Sequence, residues 1–240
     1  MLWWGSILVI AIFKDILNLM GDRHEKHEKI IIFDFDGTLA DTLEVVISIT
    51  NDLAADFGYS PTTATDLQQL QNLNSWQIIK LSNISLFKIP KLLRRVQQEL
   101  QNNLGSISLF PGIPEALNDL KNQGCQLSII TSNSPSNVEF VLNRHGVLAL
   151  FDNLNSESTL FGKHRIINRL LKQQNIPKHQ AVYVGDETRD ITAAHKSKIK
   201  SIAVTWGFNS ANVLAKYKPD FMMNQPQDLP PTIASIFPIN

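Results

Sequence analysis

An unbroken apolar run that ends in two closely spaced aspartates constrains this chain more than any other feature. Four apolar residues at positions 30–33 lead into Asp34 and Asp36, and a Gly37-Thr38 turn follows. A run without polar alternation is typical of a strand covered on both faces, as in a parallel sheet. Side chains two positions apart on a strand share a face, so the two carboxylates are expected to point the same way. Their repulsion is costly unless a cation or a shared proton relieves it.

An ordinary strand-ending turn is the plain alternative for these residues, because aspartate is common beside glycine in turns. A single Asp-Gly pair would favour that alternative. The second aspartate, placed directly after an apolar strand, instead favours a functional site.

The composition fits one α/β domain with an insertion, or two small domains. The chain has 240 residues, of which 43% are hydrophobic and 18% charged, which is enough for a buried core. Basic and acidic residues balance at 22 each, so we expect no nucleic-acid partner. The single cysteine, Cys125, excludes an internal disulfide and is typical of a reducing compartment, which favours a cytoplasmic protein.

Residues 1–28 are interpreted as an apolar extension followed by a charged linker. The apolar run at residues 2–13 is too short for a bilayer span, which takes about twenty residues. No basic region precedes it and no small-residue cleavage site clearly follows it, as a signal peptide requires. Two alternatives stay open: membrane association through an interfacial helix at residues 1–20, or a natural start at Met20.

Residues 42–108 carry helical patterns and no strand comparable with the first. One helix is predicted to end near Gly58, and Pro90 is expected to start or break a later one. We therefore predict an all-helical insertion at 42–108 in a core formed by residues 29–41 and 109–240.

The pattern after the insertion alternates between strands and helices. Strands are predicted at residues 126–131, 181–184, 202–205 and 220–223, and helices at residues 113–122, 138–145, 163–174 and 191–196. This alternation implies an α/β fold with a doubly wound, mostly parallel, Rossmann-like sheet. Ligands of such sheets bind at the carboxyl ends of the strands.

Polar residues follow several of these predicted elements. Besides the two aspartates, they are Thr131-Ser132-Asn133, Lys163 and the segment Gly185 to Asp190, which includes Asp186. Each of these has a plain alternative as a helix cap or a solvated side chain. Their occurrence together at strand-to-helix junctions predicts a single polar site.

These motifs resemble those of the haloacid dehalogenase superfamily of hydrolases. The helical insertion is similar to the C1 cap of the phosphoglycolate-phosphatase-like branch, and so is the stretch Val204 to Phe208. The matches to the four superfamily motifs are, in order, Asp34-Phe35-Asp36-Gly37-Thr38, Thr131-Ser132-Asn133, Lys163, and Gly185-Asp186 through Asp190.

The resemblance implies a phosphatase that forms an aspartyl-phosphate. Asp34 would be the nucleophile, and Asp36 would act first as general acid and then as general base. Lys163 would stabilise the transferring phosphoryl group together with Thr131-Ser132-Asn133. An acid at position 36 favours phosphoryl transfer over dehalogenation, because a halide leaves without protonation.

The resemblance also implies Mg²⁺, a hard ion that prefers oxygen ligands. Its ligands would be Asp34, the backbone carbonyl of Asp36 and the carboxylate of Asp186, with Asp190 close by. Glu187, beside this set, has no role that the sequence assigns.

The expected substrate is a small phosphorylated metabolite, with phosphoglycolate the nearest family-level expectation. Two alternatives stay open: a phosphomutase of the β-phosphoglucomutase type, and a non-catalytic binding protein with the same fold. The sequence does not give the oligomeric state. Lys198 stands where similar sequences have glycine at the end of a helix, so we expect either modest backbone strain there or a different turn.

Overall fold

The computed structural model describes residues 29–156 and 162–238 of the chain. The extension and linker predicted at residues 1–28, including both alternatives for residues 1–20, lie outside the described residues. Among the residues described, none of the helices combines the length and the apolar character that a membrane span requires.

The secondary structure alternates along the described residues as predicted. The strands are β1 (Ile30–Phe33), β2 (Ala40–Asp41), β3 (Ser108–Leu109), β4 (Gln126–Thr131), β5 (Asn153–Ser156), β6 (Ala181–Gly185), β7 (Lys200–Val204) and β8 (Phe221–Met223). The α-helices are α1 (Leu43–Phe57), α2 (Ala64–Leu70), α3 (Ser75–Leu81), α4 (Ile89–Asn103), α5 (Ile113–Asn122), α6 (Pro135–Arg144), α7 (Lys163–Gln173), α8 (Thr188–Ser197), α9 (Ala211–Lys216) and α10 (Leu229–Ile236).

Six strands form one sheet in the order β5-β4-β1-β6-β7-β8, and every neighbouring pair is parallel. Strand β1 lies in the middle, and all four of its side chains are buried. Ile31 and Phe33 pack into a core with α5 and α6, whereas Ile30 and Ile32 pack into a second core with α7. Helices on both faces explain why this strand has no polar alternation, and the predicted α/β fold is confirmed.

The segment between β2 and β3 contains helices α1 to α4. Strands β2 and β3 pair antiparallel and bring the two ends of this segment together. Gly58, which has a left-handed φ of 78°, caps helix α1 directly after Phe57, and Pro90 lies in the first turn of α4. Both positions agree with the predictions for them. We call residues 42–108 the helical insertion; the exact division into extension, core and insertion stays a prediction.

Some elements differ from the sequence predictions. Strand β5 was not predicted, because its sequence is Asn-Leu-Asn-Ser and it lies half-buried at an edge of the sheet. Helix α6 begins at Pro135 instead of residue 138, since Ser134 accepts a hydrogen bond from the backbone of Asn137 and caps the helix earlier. The short β2–β3 pair and helices α9 and α10 were also not predicted.

Candidate active site

The two aspartates after β1 lie in different surroundings. The strand ends at Phe33, and the Asp34 N–H extends the ladder by donating to the Val184 carbonyl at 2.9 Å. Asp36 lies beyond the ladder in a turn, beside Gly37 with its φ of 75°. The expectation that both carboxylates share one strand face therefore does not hold, because the strand stops before either residue.

Asp34 instead joins two acidic residues from the end of β6 and the start of α8. Carboxylate oxygens of Asp34, Asp186 and Asp190 all lie within 4.8 Å of one another, and all three residues are buried. Lys163, the first residue of α7 and also buried, contacts Asp34 Oδ2 and donates to Asp190 Oδ1 at 2.6 Å. The carboxyl ends of separate parallel strands thus bring together residues far apart in sequence.

Asp186 is held on both of its oxygens. The Thr38 hydroxyl donates to Oδ1 at 2.7 Å, and the Phe208 N–H donates to Oδ2 at 2.8 Å. Burial raises the pKa of Asp186 well above its usual range, and the nearby Glu187, Asp190 and Asp34 carboxylates raise it further. Such crowding of negative charge is relieved by a cation. Buried carboxylate oxygens are the donors that Mg²⁺ prefers, so these residues fit that ion.

A close approach between two loops makes this arrangement possible. A Cβ atom at Gly207 would collide with the Gly37 carbonyl oxygen and with the Asp186 side chain. Only glycine therefore lets the segment after β7 reach the acidic cluster. Trp206 from the same segment donates its indole N–H to the Thr38 carbonyl at 3.1 Å, which explains structurally the motif noted at Val204 to Phe208.

Asp36 faces β4 instead of the acidic cluster. The Asn133 side-chain amide donates to both Asp36 carboxylate oxygens, at 3.1 and 3.2 Å. Burial, and then the Asp34 carboxylate, raise the pKa of Asp36 to about 6. A carboxyl group with such a pKa exchanges protons near neutral pH, as a general acid or base must.

The predicted residues after β4 lie at the same edge of the sheet. The buried Thr131 hydroxyl accepts a hydrogen bond from the Asn133 N–H at 3.0 Å. Ser132 is partly exposed, and its carbonyl accepts a hydrogen bond from Gln97 of the helical insertion. The side-chain amide of Asn133 contacts Asp36, and its predicted role in substrate binding stays a prediction.

Sequence reasoning missed two polar connections around α8. Arg189 donates from Nε to Glu187 Oε2 at 2.6 Å, which gives Glu187 a partner that the sequence did not assign. Asn209 accepts from the Thr188 N–H at 3.0 Å and donates to the Leu73 carbonyl of the helical insertion at 3.1 Å. Glu187, the acidic residue beside Asp186, was the sequence signal for its pairing with Arg189. Nothing in the sequence pointed to the second.

This fold, with an aspartate-bearing turn after the central strand and a buried acidic cluster beside a lysine, defines a class of hydrolases. A family model described as haloacid dehalogenase-like hydrolase matches residues 31–204. The chain belongs to this family, and it is a hydrolase enzyme. The predicted family resemblance is therefore confirmed.

Two curated relatives cover most of the chain. A phosphoglycolate phosphatase from Synechococcus elongatus is 39% identical over 199 residues, which are 83% of this chain and 94% of the relative. The pyrophosphatase PpaX of Bacillus velezensis is 27% identical, with 85% of this chain and 96% of the relative covered.

A solved structure agrees with the fold. A haloacid dehalogenase-like family hydrolase from Streptococcus pneumoniae superimposes with a TM-score of 0.68 and 23% identity, covering 85% of this chain and 97% of that chain. At this identity the similarity bears on the fold alone.

Proposed function

We propose that this hydrolase is a cytoplasmic, Mg²⁺-dependent phosphatase that acts on a small phosphorylated metabolite through an aspartyl-phosphate. The observation that carries the proposal is the separation of the two aspartates. Asp34 lies against Lys163 in the acidic cluster, whereas Asp36 faces Asn133 and has a pKa of about 6. One carboxylate is thereby suited to attack and the other to proton transfer. Phosphoglycolate is the favoured substrate, because the Synechococcus relative is named for it.

The first step is transfer of the phosphoryl group to the enzyme. A carboxylate oxygen of Asp34 attacks phosphorus, and the bond between phosphorus and the ester oxygen breaks. Asp36 gives its proton to the departing alkoxide, which needs that proton because it is a poor leaving group. Lys163 remains beside Asp34 and offsets the charge that its carboxylate and the phosphate bring together.

The second step releases inorganic phosphate. Asp36 is now ionised and takes a proton from a water molecule, whose oxygen attacks phosphorus of the aspartyl-phosphate. The bond between Asp34 and phosphorus breaks, and both side chains return to their starting states. The same residue thus serves in both steps without exchanging protons with solvent between them.

Mg²⁺ would be held by the carboxylates of Asp34 and Asp186, with Asp190 beside them. The backbone carbonyl of Asp36, predicted as a further ligand, stays a prediction. When bound, the ion supplies positive charge that lets an anionic nucleophile approach an anionic phosphate. The segment of Thr131, Ser132 and Asn133 is proposed to bind the phosphoryl oxygens together with Lys163.

A panel of phosphomonoesters assayed with Mg²⁺ tests the proposal. We expect the wild type to release phosphate, and we expect Asp34→Asn and addition of a chelator to abolish the release. Asp119→Asn is the matched control, because it makes the same chemical change on an exposed face of α5. Phosphate release that survives in Asp34→Asn would exclude the aspartyl-phosphate mechanism. An isomerised product without free phosphate would instead identify a phosphomutase.

A further inference from the structure

Arg189 is a largely buried cation that the proposed mechanism leaves without a role. It lies in the first turn of α8, directly before Asp190, and its side chain is only 15% exposed. Glu187 Oε2 accepts from Nε at 2.6 Å and also contacts Nη2, so two of the three guanidinium nitrogens face the same oxygen. Within the part of the chain that the structure describes, the third nitrogen, Nη1, is buried and has no hydrogen-bond partner.

An unpartnered buried donor on a permanently charged group is costly in free energy. In native proteins an ordered water, an ion or a ligand completes the hydrogen bonds of most such groups. Glu187 fixes the plane of the guanidinium, so the remaining donor has a defined position before any ligand arrives.

Arg189 lines a cavity of about 260 Å³ between the core and the helical insertion. Lys163 and Lys196 line the same cavity, with Asn74 on the side of the insertion and Tyr217 on the side of the core. None of the described residues that line it is an aspartate or glutamate. Two of these cations, Lys163 and Arg189, also pair with carboxylates that do not line the cavity. A small cavity whose charged lining residues are all basic is suited to a small anionic ligand.

The cavity reaches the proposed reaction centre through Lys163, which contacts the Asp34 nucleophile. Arg189 directly precedes Asp190, whose carboxylate accepts a hydrogen bond from Lys163 at 2.6 Å, so the cavity lining and the acidic cluster share neighbouring residues. The phosphoryl group already has proposed partners in Lys163 and the Thr131-Ser132 segment, so a second anionic group of the substrate remains to be bound.

We infer that Arg189 is a specificity-determining residue that binds a carboxylate on the leaving-group half of the substrate, with Glu187 as its positioning residue. This inference rests on the proposed phosphatase function and deepens it. Phosphoglycolate, the substrate proposed above, carries such a carboxylate one carbon atom from the ester oxygen. A charge-assisted Arg–carboxylate contact supplies the discrimination, since an uncharged analogue leaves the guanidinium unpaired.

Two substrates of similar size distinguish carboxylate binding by Arg189 from a role in phosphoryl transfer or folding. Phosphoglycolate carries the carboxylate, and 2-hydroxyethyl phosphate replaces it with a hydroxymethyl group. We expect Arg189→Gln to lower kcat/KM for phosphoglycolate roughly 10- to 100-fold, the loss expected for a hydrogen bond to a charged group. For 2-hydroxyethyl phosphate we expect a change within about threefold. Equal losses on both substrates would overturn the inference, because they would indicate a role in phosphoryl transfer or folding.

Arg165→Gln is the matched control, because it removes the same charge from an exposed position on α7 outside the cavity. It should leave the preference between the two substrates unchanged. If Arg189→Gln does not fold, Glu187→Gln replaces it, and we expect a smaller loss that is again confined to phosphoglycolate. Unaltered preference in Glu187→Gln would then count against the inference.

A binding measurement without turnover tests the role of Arg189 independently of the proposed phosphatase function. By calorimetry, 3-phosphonopropionate should bind the wild type more tightly than propylphosphonate, and Arg189→Gln should remove the difference. Binding of this kind without phosphate release from any ester would overturn the phosphatase proposal and support the role of Arg189. Phosphate release by the wild type, with the carboxylate preference intact in Arg189→Gln, would overturn the role of Arg189 alone.

Discussion

Asn133 donates its side-chain amide to both carboxylate oxygens of Asp36, at 3.1 and 3.2 Å. The Asn133 oxygen in turn accepts from the Ser134 N–H at 2.8 Å and from the Asn137 amide at 3.0 Å, so the amide has one favoured orientation. This contact separates Asp36 from the acidic cluster around Asp34. It also holds the pKa of Asp36 below the value that burial and Asp34 alone would give.

Replacement of Asn133 by alanine should raise the pKa of Asp36, because the ionised carboxylate loses both hydrogen bonds. The first chemical step needs Asp36 protonated, so the alkaline limb of kcat/KM for an alkyl phosphate should move to higher pH. We also expect kcat to fall roughly tenfold, because Asp36 is less well oriented. Asn143→Ala, an exposed change on α6, is the control. If the alkaline limb of kcat/KM does not move in Asn133→Ala, Asn133 does not influence the pKa of Asp36 during catalysis.

The pH dependence of stability offers a test without substrate. A carboxyl group whose pKa is raised in the folded state, here from 3.8 to about 6 for Asp36, destabilises the fold as pH rises between those values. Asp36→Asn lacks this effect. The unfolding free energy of the variant relative to wild type should therefore increase by about 1 to 3 kcal/mol from pH 4 to pH 6. Urea unfolding in a chelator measures it, and a difference that is constant with pH would contradict the prediction.

Addition of Mg²⁺ should stabilise the protein, because the ion offsets charge in the cluster of Asp34, Asp186 and Asp190. At about 100 times its Kd the ion should add about 2.7 kcal/mol to the free energy of unfolding. Asp186→Asn should lose most of this increment, whereas exposed Asp119→Asn should retain it. Thermal unfolding with and without Mg²⁺ gives the comparison. Full stabilisation of Asp186→Asn would place the ion elsewhere.

Asn209 connects the core to the helical insertion, since it accepts from the Thr188 N–H and donates to the Leu73 carbonyl. Asn209→Ala leaves a buried N–H unpaired and removes one contact with the insertion. We expect the free energy of unfolding to fall by about 1 to 3 kcal/mol and KM to rise. Exposed Asn118→Ala, on α5, should change neither quantity. A stability loss with unaltered KM would limit Asn209 to a structural role.

Lys198 ends helix α8 in the left-handed conformation, with φ of 59°. Side chains other than glycine are strained there by about 1 kcal/mol or more. Lys198→Gly should therefore raise the free energy of unfolding by about 0.5 kcal/mol after the entropy of the unfolded chain is included. Lys172→Gly, inside the last turn of α7, should instead destabilise the protein by about 1 kcal/mol. Equal effects of the two substitutions would show that φ at position 198 is not strained.

Much of the core could be predicted from sequence because its signals are local. The helix at residues 113–122 and the strand at residues 126–131 agree with α5 and β4 residue for residue. Strand β5 was not predicted, because an edge strand with alternating polar residues lacks the apolar run that is typical of a buried strand. The two-residue pair β2–β3 forms only because the ends of the helical insertion meet, and no local pattern encodes that meeting.

The sequence by itself determined that apolar strands lead to Asp34, Thr131 and Gly185, and that parallel order brings these positions to one edge of the sheet. Only the tertiary structure decided which carboxylates meet. Asp34 turns toward Asp186 while Asp36, two positions later, turns toward Asn133. The reason is that β1 stops at Phe33, and the glycine-bearing turn that follows sends the two side chains in different directions. Residues from distant strands then surround each carboxylate, and no local sequence pattern predicts which residues these are.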